Sequence, residues 1–260
     1  SPSQKERRGA AKMTELILSE ITRMKPGVCI IGIEPAEKGY RSVRPGPPYG
    51  HAWPLRFPHH RGDKLQFELS EAGRIPPHVE DHWSTGVRGQ TGRVSEAELL
   101  ACLQKAEVAG SVRELFGYKV CSKRRGAYVL AKFARRSICG VEAPRIRLSW
   151  EAKEIRASVV LPSDETLPDL PVVDHSWHSF AEAALEQMEG ANKTQRLNRF
   201  LTQRFQRGIL KGEKHFLRIG LTRPRPNVCW LMVDTLFPFP RKSWLAELCG
   251  EPGATNPPAQ

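Results

Sequence analysis

Apolar and polar residues alternate along several short stretches of the chain. In Lys64–Leu69, Leu65, Phe67 and Leu69 share one face, with Lys64, Gln66 and Glu68 on the other. That period of two marks a half-buried strand. Arg145–Trp150 repeats it, with Ile146, Leu148 and Trp150 opposite Arg145, Arg147 and Ser149. Short apolar runs at Leu16–Leu18, Val28–Ile33, Tyr40–Arg44, Ala127–Phe133, Ile155–Leu161, His215–Thr222 and Val228–Leu236 predict further strands. Turn residues separate them at Pro45–Gly50 and Arg223–Asn227, and Gly73–Gly92 reads as loop around Pro76-Pro77.

Four segments carry helical signals instead. Ser95-Glu-Ala-Glu98 and Ser111-Val-Arg-Glu114 have capping-box form, and Gly117 is a natural stop after the second. Trp177, Phe180, Ala181, Ala184, Leu185 and Met188 recur at helical spacing, with Glu182, Glu186 and Glu189 opposite and Gly190 at the end. A helix over 192–210 would bury Leu197, Phe200, Leu201 and Phe205. Short strands with helices between them predict a mainly β fold with helices: two small OB-like barrels joined by a helical segment. The expected division is an extension over 1–12, a first barrel with its C-terminal helices over 13–117, a second barrel with a helical insertion over 118–246, and a disordered tail over 247–260.

Composition narrows the class. The 260 residues are 40% hydrophobic, enough for a sizeable core. No apolar run approaches the roughly 18 residues of a membrane helix, so no membrane partner is expected. The six cysteines, Cys29, Cys102, Cys121, Cys139, Cys229 and Cys249, form no CxxC pair. They read as reduced thiols in a cytoplasmic protein. Residues 1–12 hold five charges and no apolar h-region, unlike a signal peptide, and Met13 reads as the natural start.

Charge gives the sharpest hint. Forty Lys+Arg stand against 28 Asp+Glu, a net +12. The excess lies in the second half: Lys119–Arg147 has nine bases and one acid, Ala191–Arg225 ten and one. Such segments suit phosphate backbones. On the 192–210 helix, Arg196, Arg199 and Arg207 fall on one side, away from Leu197, Leu201 and Phe205. Lys123, Arg124, Arg125, Arg135 and Arg136 form the second basic group. Tyr40 with Arg41 and Arg44, and Tyr128 beside Arg124 and Arg125, would stack bases next to phosphate contacts. Trp53, Phe57 and Trp150 are further ring candidates.

Signals for catalysis are thin. His78 and His82 are four apart, but Pro76-Pro77 precede them and the acids between them do not make H-E-x-x-H. They read as loop residues. No P-loop, nucleophile elbow or dinucleotide fingerprint occurs. Gly86–Gly92 has too little context for an anion-binding turn. Asp174, Asp234 and Glu142 leave a metal-dependent nuclease open as an alternative.

An ordered series of motifs resembles one family. Leu18-Ser-Glu-Ile-Thr-Arg-Met24, Val28-Cys-Ile-Ile-Gly-Ile33 and Gly39-Tyr-Arg-Ser-Val-Arg-Pro45 are similar to the opening of the dual OB-fold domain family of bacterial proteins. His78-Val-Glu-Asp-His-Trp83, Ser111–Gly117, Leu217–Pro224 and Cys229–Pro240 resemble its later motifs. The resemblance spans about Met13 to Pro240. It implies two OB-type barrels and, by association, a place in a larger bacterial system such as genome defence. It transfers no catalytic residue.

The sequence therefore predicts a nucleic-acid-binding module, for single strands or RNA, mostly without base readout. It predicts no cofactor, no metal and no catalytic residue, and leaves room for a protein partner in a larger complex. A protein–protein adaptor and a nuclease or nucleotide-processing enzyme are the alternatives.

Overall fold

A computed structural model describes residues 11–49, 51–71, 76–210 and 215–250, with 206–210 as backbone alone. Of the expected extension and tail, residues 1–10 and 251–260 lie outside the described residues.

The first barrel is built from β1 (Lys12–Arg23), β2 (Val28–Ala36), β3 (Gly39–Pro45), β4 (Asp63–Glu71) and β5 (Asp81–Arg93). Its strands close in the order β1-β2-β3-β5-β4, with β4 returning to β1. Every pair is antiparallel except β3 with β5. This is the OB arrangement. Leu16, Leu18, Ile30, Val43, Leu65 and Phe67 fill its interior. The alternation in β4 points Leu65, Phe67 and Leu69 inward as expected.

The expectation of loop over 73–92 fails in its second part. β5 is a 13-residue strand with little apolar alternation. Pairing with β4 along its length holds it, and three register shifts absorb its extra residues. Gly86–Gly92 is therefore strand, not an anion-binding turn. Residues 72–75 lie outside the described residues.

Next come α1 (Glu96–Gln104), α2 (Val112–Phe116), β6 (Cys121–Ser122) and β7 (Ala127–Leu130). Ser95 caps α1 in the predicted box: its side chain accepts from the Glu98 amide, and Glu98 accepts from the Ser95 amide. The second box does not form. Ser111 makes no cap bond, and Glu114 instead accepts from the Gly110 amide. Leu115 and Phe116 of α2 pack into the second core, while Leu99 and Leu103 of α1 pack between the barrels. Packing thus changes hands between α1 and α2, ahead of Gly117.

The second barrel comprises β8 (Ile138–Ala143), β9 (Arg145–Glu151), β10 (Glu154–Val160), β11 (Thr166–Val172), β12 (His215–Leu221) and β13 (Val228–Leu236). Between β11 and β12 run α3 (His175–Gln187) and α4 (Lys193–Leu210), and α5 (Lys242–Cys249) follows β13. The ladder is β9-β10-β11-β13-β12-β8, with β11 parallel to β13. β8 and β9 are separated only by Pro144, which has no amide hydrogen to offer a ladder. Together they hold the place of β1, so the pairing order of the first barrel recurs, but this sheet, which β7 and β6 extend from β13, curls into a half-barrel without closing. None of β8, β11 and α5 was predicted. Pro168 and Pro171 break the strand pattern of β11, yet Leu167, Leu170 and Val172 are buried. α5 buries Trp244 and Leu248, so the second unit runs past 246 and the expected tail begins inside a helix.

A bulge in β1 sets how the barrels meet. Its register with β2 shifts between Leu18 and Glu20. Leu18 faces the first core, and the extra residue turns Glu20 to the outer surface instead of the core. There Glu20 meets Arg218 of β12, Oε1 to Nε 3.0 Å, with both side chains almost fully buried. A small apolar core of Ile17, Ile33, Leu103, Phe216 and Phe237 seals one flank of this joint. Arg61 crosses it as well. Its guanidinium donates to both Asp174 carboxylate oxygens (2.7 and 2.9 Å), to Thr235 Oγ1 (2.8 Å) and to Ser176. Ser137 supplies a third tie, donating from its amide and hydroxyl to Glu80 at 2.9 and 2.8 Å.

Candidate functional site

OB barrels bind ligands on the face of their second and third strands, between the loops that join strands 1–2 and 4–5. In the first barrel that face is β2 and β3, flanked by residues 24–27 and by the end of the loop before β5. The face does not look into open solvent. The strands β12 and β13 of the second barrel rise opposite it, and a cleft of about 1390 Å³ remains between them. Cys29, Arg44 and Pro45 line one wall, and Met24 and His78 come from the two loops. The opposite wall is Leu221, Thr222, Trp230, Met232 and Asp234, with Arg223 and Arg225 from the β12–β13 turn. That turn is the strand 4–5 loop of the second barrel.

Charge in the cleft is organised around Asp81. Arg44 pairs with one of its carboxylate oxygens at 2.8 Å and Arg223 with the other at 2.5 Å. Arg44 also reaches Ser137 Oγ at 3.2 Å and His78 Nδ1 at 3.1 Å. Burial, then Arg44 and Arg223, push the His78 imidazole down to about 4, so it is neutral at pH 7. Arg225 is exposed at the mouth. Arg23, on the rim, is held by a bidentate pair with Glu182, both bonds 2.6 Å. Trp83 is 53% exposed, and half-buried Trp230 lines the same cleft from the other barrel.

Asp234 lies at the floor, 1% exposed, with neither carboxyl oxygen hydrogen-bonded. Burial, then the neighbouring Glu20 carboxylate, raise it to about 8, against the pull of Arg44 and Arg218. It is therefore mostly a neutral acid at pH 7. Gly220 on β12 makes room for it, since a Cβ there would stand 1.9 Å from Asp234 Oδ2. Asp174 behaves oppositely. Burial would raise it, but Arg61, Ser176 and Thr235 together hold it below the ordinary carboxylate range. The Cys29 thiol is pushed up by burial, away from the reactive thiolate. All six cysteines are free.

The predicted binding residues divide into engaged and available groups. Arg44 is engaged as above, and Arg41 pairs with Glu34 at 2.6 Å. Tyr40 packs against the joint core. Arg136 pairs with Glu107 at 2.7 Å and donates to the Glu114 carbonyl. Arg196 donates to the carbonyls of Glu189 and Leu248, clamping α4 to its neighbours. These five have partners within the fold. Arg199, Arg124, Arg125 and Arg135 are exposed. The Arg207 side chain lies outside the described residues. Lys123 sits over Tyr128 and Trp230, 5.3 and 5.5 Å from the ring centroids. Tyr128 and Trp230 are 5.4 Å apart, which joins the predicted Tyr128 group to the cleft. Trp53 and Trp150 are core residues, and Phe57 packs on Trp53.

Two of the three acids proposed for a nuclease are engaged in the fold, and the third is the buried Asp234. Asp174 is the N-cap of α3 and the partner of Arg61, and Glu142 accepts from Gln104. Among the described residues no group of three His, Cys, Asp or Glu side chains is placed to hold a metal. His82 Nδ1 donates to the Glu80 carbonyl, 2.8 Å away, at the start of a strand rather than on a helix. Sequence reasoning missed Trp83, Trp230, Arg223 and Arg225. Their signal was positional: they lie in or beside strand 4–5 loops, which matter only once the barrel order is known.

No family model and no curated protein matches the chain. Two solved structures align over most of it. One, titled "Crystal structure of Ifi202 HINa domain in complex with 20bp dsDNA", has a TM-score of 0.31 and 7% identity, over 87% of this chain and 94% of that one. The other, "Molecular basis for abrogation of activation of pro-inflammatory cytokines", has a TM-score of 0.30 and 9% identity, over 86% and 93%. At such scores neither says anything about the site. Among the described residues no helix is long and apolar enough to cross a membrane.

Proposed function

We propose that the inter-barrel cleft binds a single-stranded nucleic acid, mostly without reading its sequence. The observation that carries this is the coincidence of two things. The ligand-binding face of the first barrel and the strand 4–5 loop of the second open onto one cavity, and that cavity presents Trp83 and Trp230 beside Arg223 and Arg225. Rings that stack on any base, next to guanidinium groups that follow phosphates, are what sequence-tolerant single-strand binding needs. A cavity of about 1390 Å³ has room for splayed bases. The motifs resembling the bacterial dual OB-fold family are consistent with this use, and a role in a larger defence system is part of the same proposal.

Anisotropy titrations with four labelled oligonucleotides, single and double, DNA and RNA, test it. Single strands should bind with affinity that falls as salt rises. Arg225→Gln should reduce the slope of log affinity against log salt by about 0.7, and Trp83→Ala should weaken binding by about tenfold. Preference for the duplex overturns the single-strand reading. Absence of salt-dependent binding to all four overturns the nucleic-acid reading and favours the protein adaptor.

A further inference from the structure

Outside the cleft, the segment 118–136 carries seven Lys/Arg and no Asp or Glu. It also holds two large rings that the fold leaves partly uncovered, Tyr118 at 38% and Phe133 at 39%. These rings stack on each other, centroids 4.3 Å apart and planes 24° from parallel. The ammonium of Lys132 lies 4.7 Å from the Phe133 ring centroid. Arg135 runs along Gly117, where a Cβ would come within 2.8 Å of its Cδ. Exposed Lys119 and Arg135 flank the pair. A lone exposed ring calls for no explanation, but stacked rings within a purely basic segment are fitted to a ligand that is both flat and anionic.

The position adds to this. β7 begins beside the cleft, since Tyr128 packs on Trp230. It leads through a 3₁₀ turn, Ala131–Phe133, to Phe133. Phe133 is five positions on from Tyr128, which limits their distance to at most about 18 Å. We infer that Tyr118 and Phe133 form a second base-stacking platform, on which a strand leaving the cleft past Tyr128 and Lys123 continues along the protein surface. Lys132, Lys119 and Arg135 would take its phosphates. The inference rests on the cleft reading and adds a length requirement to it.

Length dependence separates the two. Fluorescein-labelled oligothymidylates of about 5 and about 15 nucleotides, spanning the range of OB site sizes, are titrated against the wild type, the double change Tyr118→Ala/Phe133→Ala, and Tyr118→Phe/Phe133→Tyr. The rings are partly exposed, so the melting temperature of the double change should stay close to that of the wild type. The 15-mer should bind the wild type more tightly than the 5-mer. The alanine pair should lose about tenfold for the 15-mer and little for the 5-mer, while the aromatic swap keeps the wild-type values. If the alanine pair binds the 15-mer as the wild type does, the platform is wrong and the cleft reading stands. If the alanine pair weakens both oligomers equally, the rings act on the cleft and not as an extension of it, which also overturns the platform. If neither oligomer binds the wild type, the cleft reading itself fails.

Discussion

Arg61 and Asp174 lie 113 residues apart in sequence and meet through two hydrogen bonds, 2.7 and 2.9 Å, across the joint between the barrels. Arg61 comes from the turn before β4, and Asp174 caps α3 in the second barrel. The guanidinium also lies over Phe239, 3.8 Å from the ring centroid. With the side chains 9% and 0% exposed, water does little to screen the pair. Removing one partner leaves the other charge buried alone. Arg61→Met is expected to cost about 3–5 kcal/mol, read as a lower urea midpoint. A loss below about 1 kcal/mol would mean that the pair is solvated, as surface pairs are.

Asp234 makes stability depend on pH in the direction opposite to most carboxylates. Its folded value, about 8, stands above the unfolded value of 3.8, so the folded state holds the proton longer. The contribution is full below pH 3.8, declines as pH rises and is lost once pH passes about 8. Between those limits this one group should lower unfolding free energy by up to about 1.4 kcal/mol per pH unit. Asp234→Asn keeps the shape and removes the proton. Urea melts from pH 5 to 8 should show the variant with the flatter profile; parallel profiles would place the Asp234 proton elsewhere.

Gly220→Ala should be severely destabilising despite its small size. The added methyl would stand 1.9 Å from Asp234 Oδ2, so the carboxyl or the strand must shift. Pairing this change with Asp234→Gly should recover part of the loss, a coupling that a double-mutant cycle measures. Strict additivity would refute the steric account.

Arg196, predicted from the sequence as a phosphate contact, and Arg225, found only at the cleft mouth, should behave differently. Arg196→Gln should lower the melting temperature, because α4 loses its bonds to Glu189 and Leu248, and it should leave the salt slope of oligonucleotide binding unchanged. Arg225→Gln should do the reverse. Equal effects on the slope would return α4 to the binding surface.

Local pattern was enough for strands and helices that bury one face. β4, the capped α1 and the amphipathic α3 could be read from spacing alone. β5 could not, because its stability comes from its neighbour's ladder and not from its own apolar residues. β11 was hidden by prolines that happen to sit at tolerated positions. Of the candidate site, the basic segment around Lys123 and Tyr128 was legible, since charge density is local. Arg44 and Arg41 looked the same in sequence but pair with Asp81 and Glu34, which come from other strands. Nothing in the chain around Glu20, Arg218 or Asp234 signals burial, because each is covered by the opposite barrel.

The bulge beside Ser19 has a consequence for how the chain can be divided. By turning Glu20 outward it gives the first barrel an acidic contact that pairs with Arg218 of the second, and Arg61, Arg44 and Glu80 add further obligations to the second barrel. A fragment ending between α1 and α2 would present Glu20, Arg61 and the apolar surface of Ile17 and Ile33 to water. The two barrels are thus better regarded as halves of one cooperative body than as beads on a string. Supplied as separate polypeptides cut between those helices, they would be expected to find each other and behave as a split protein.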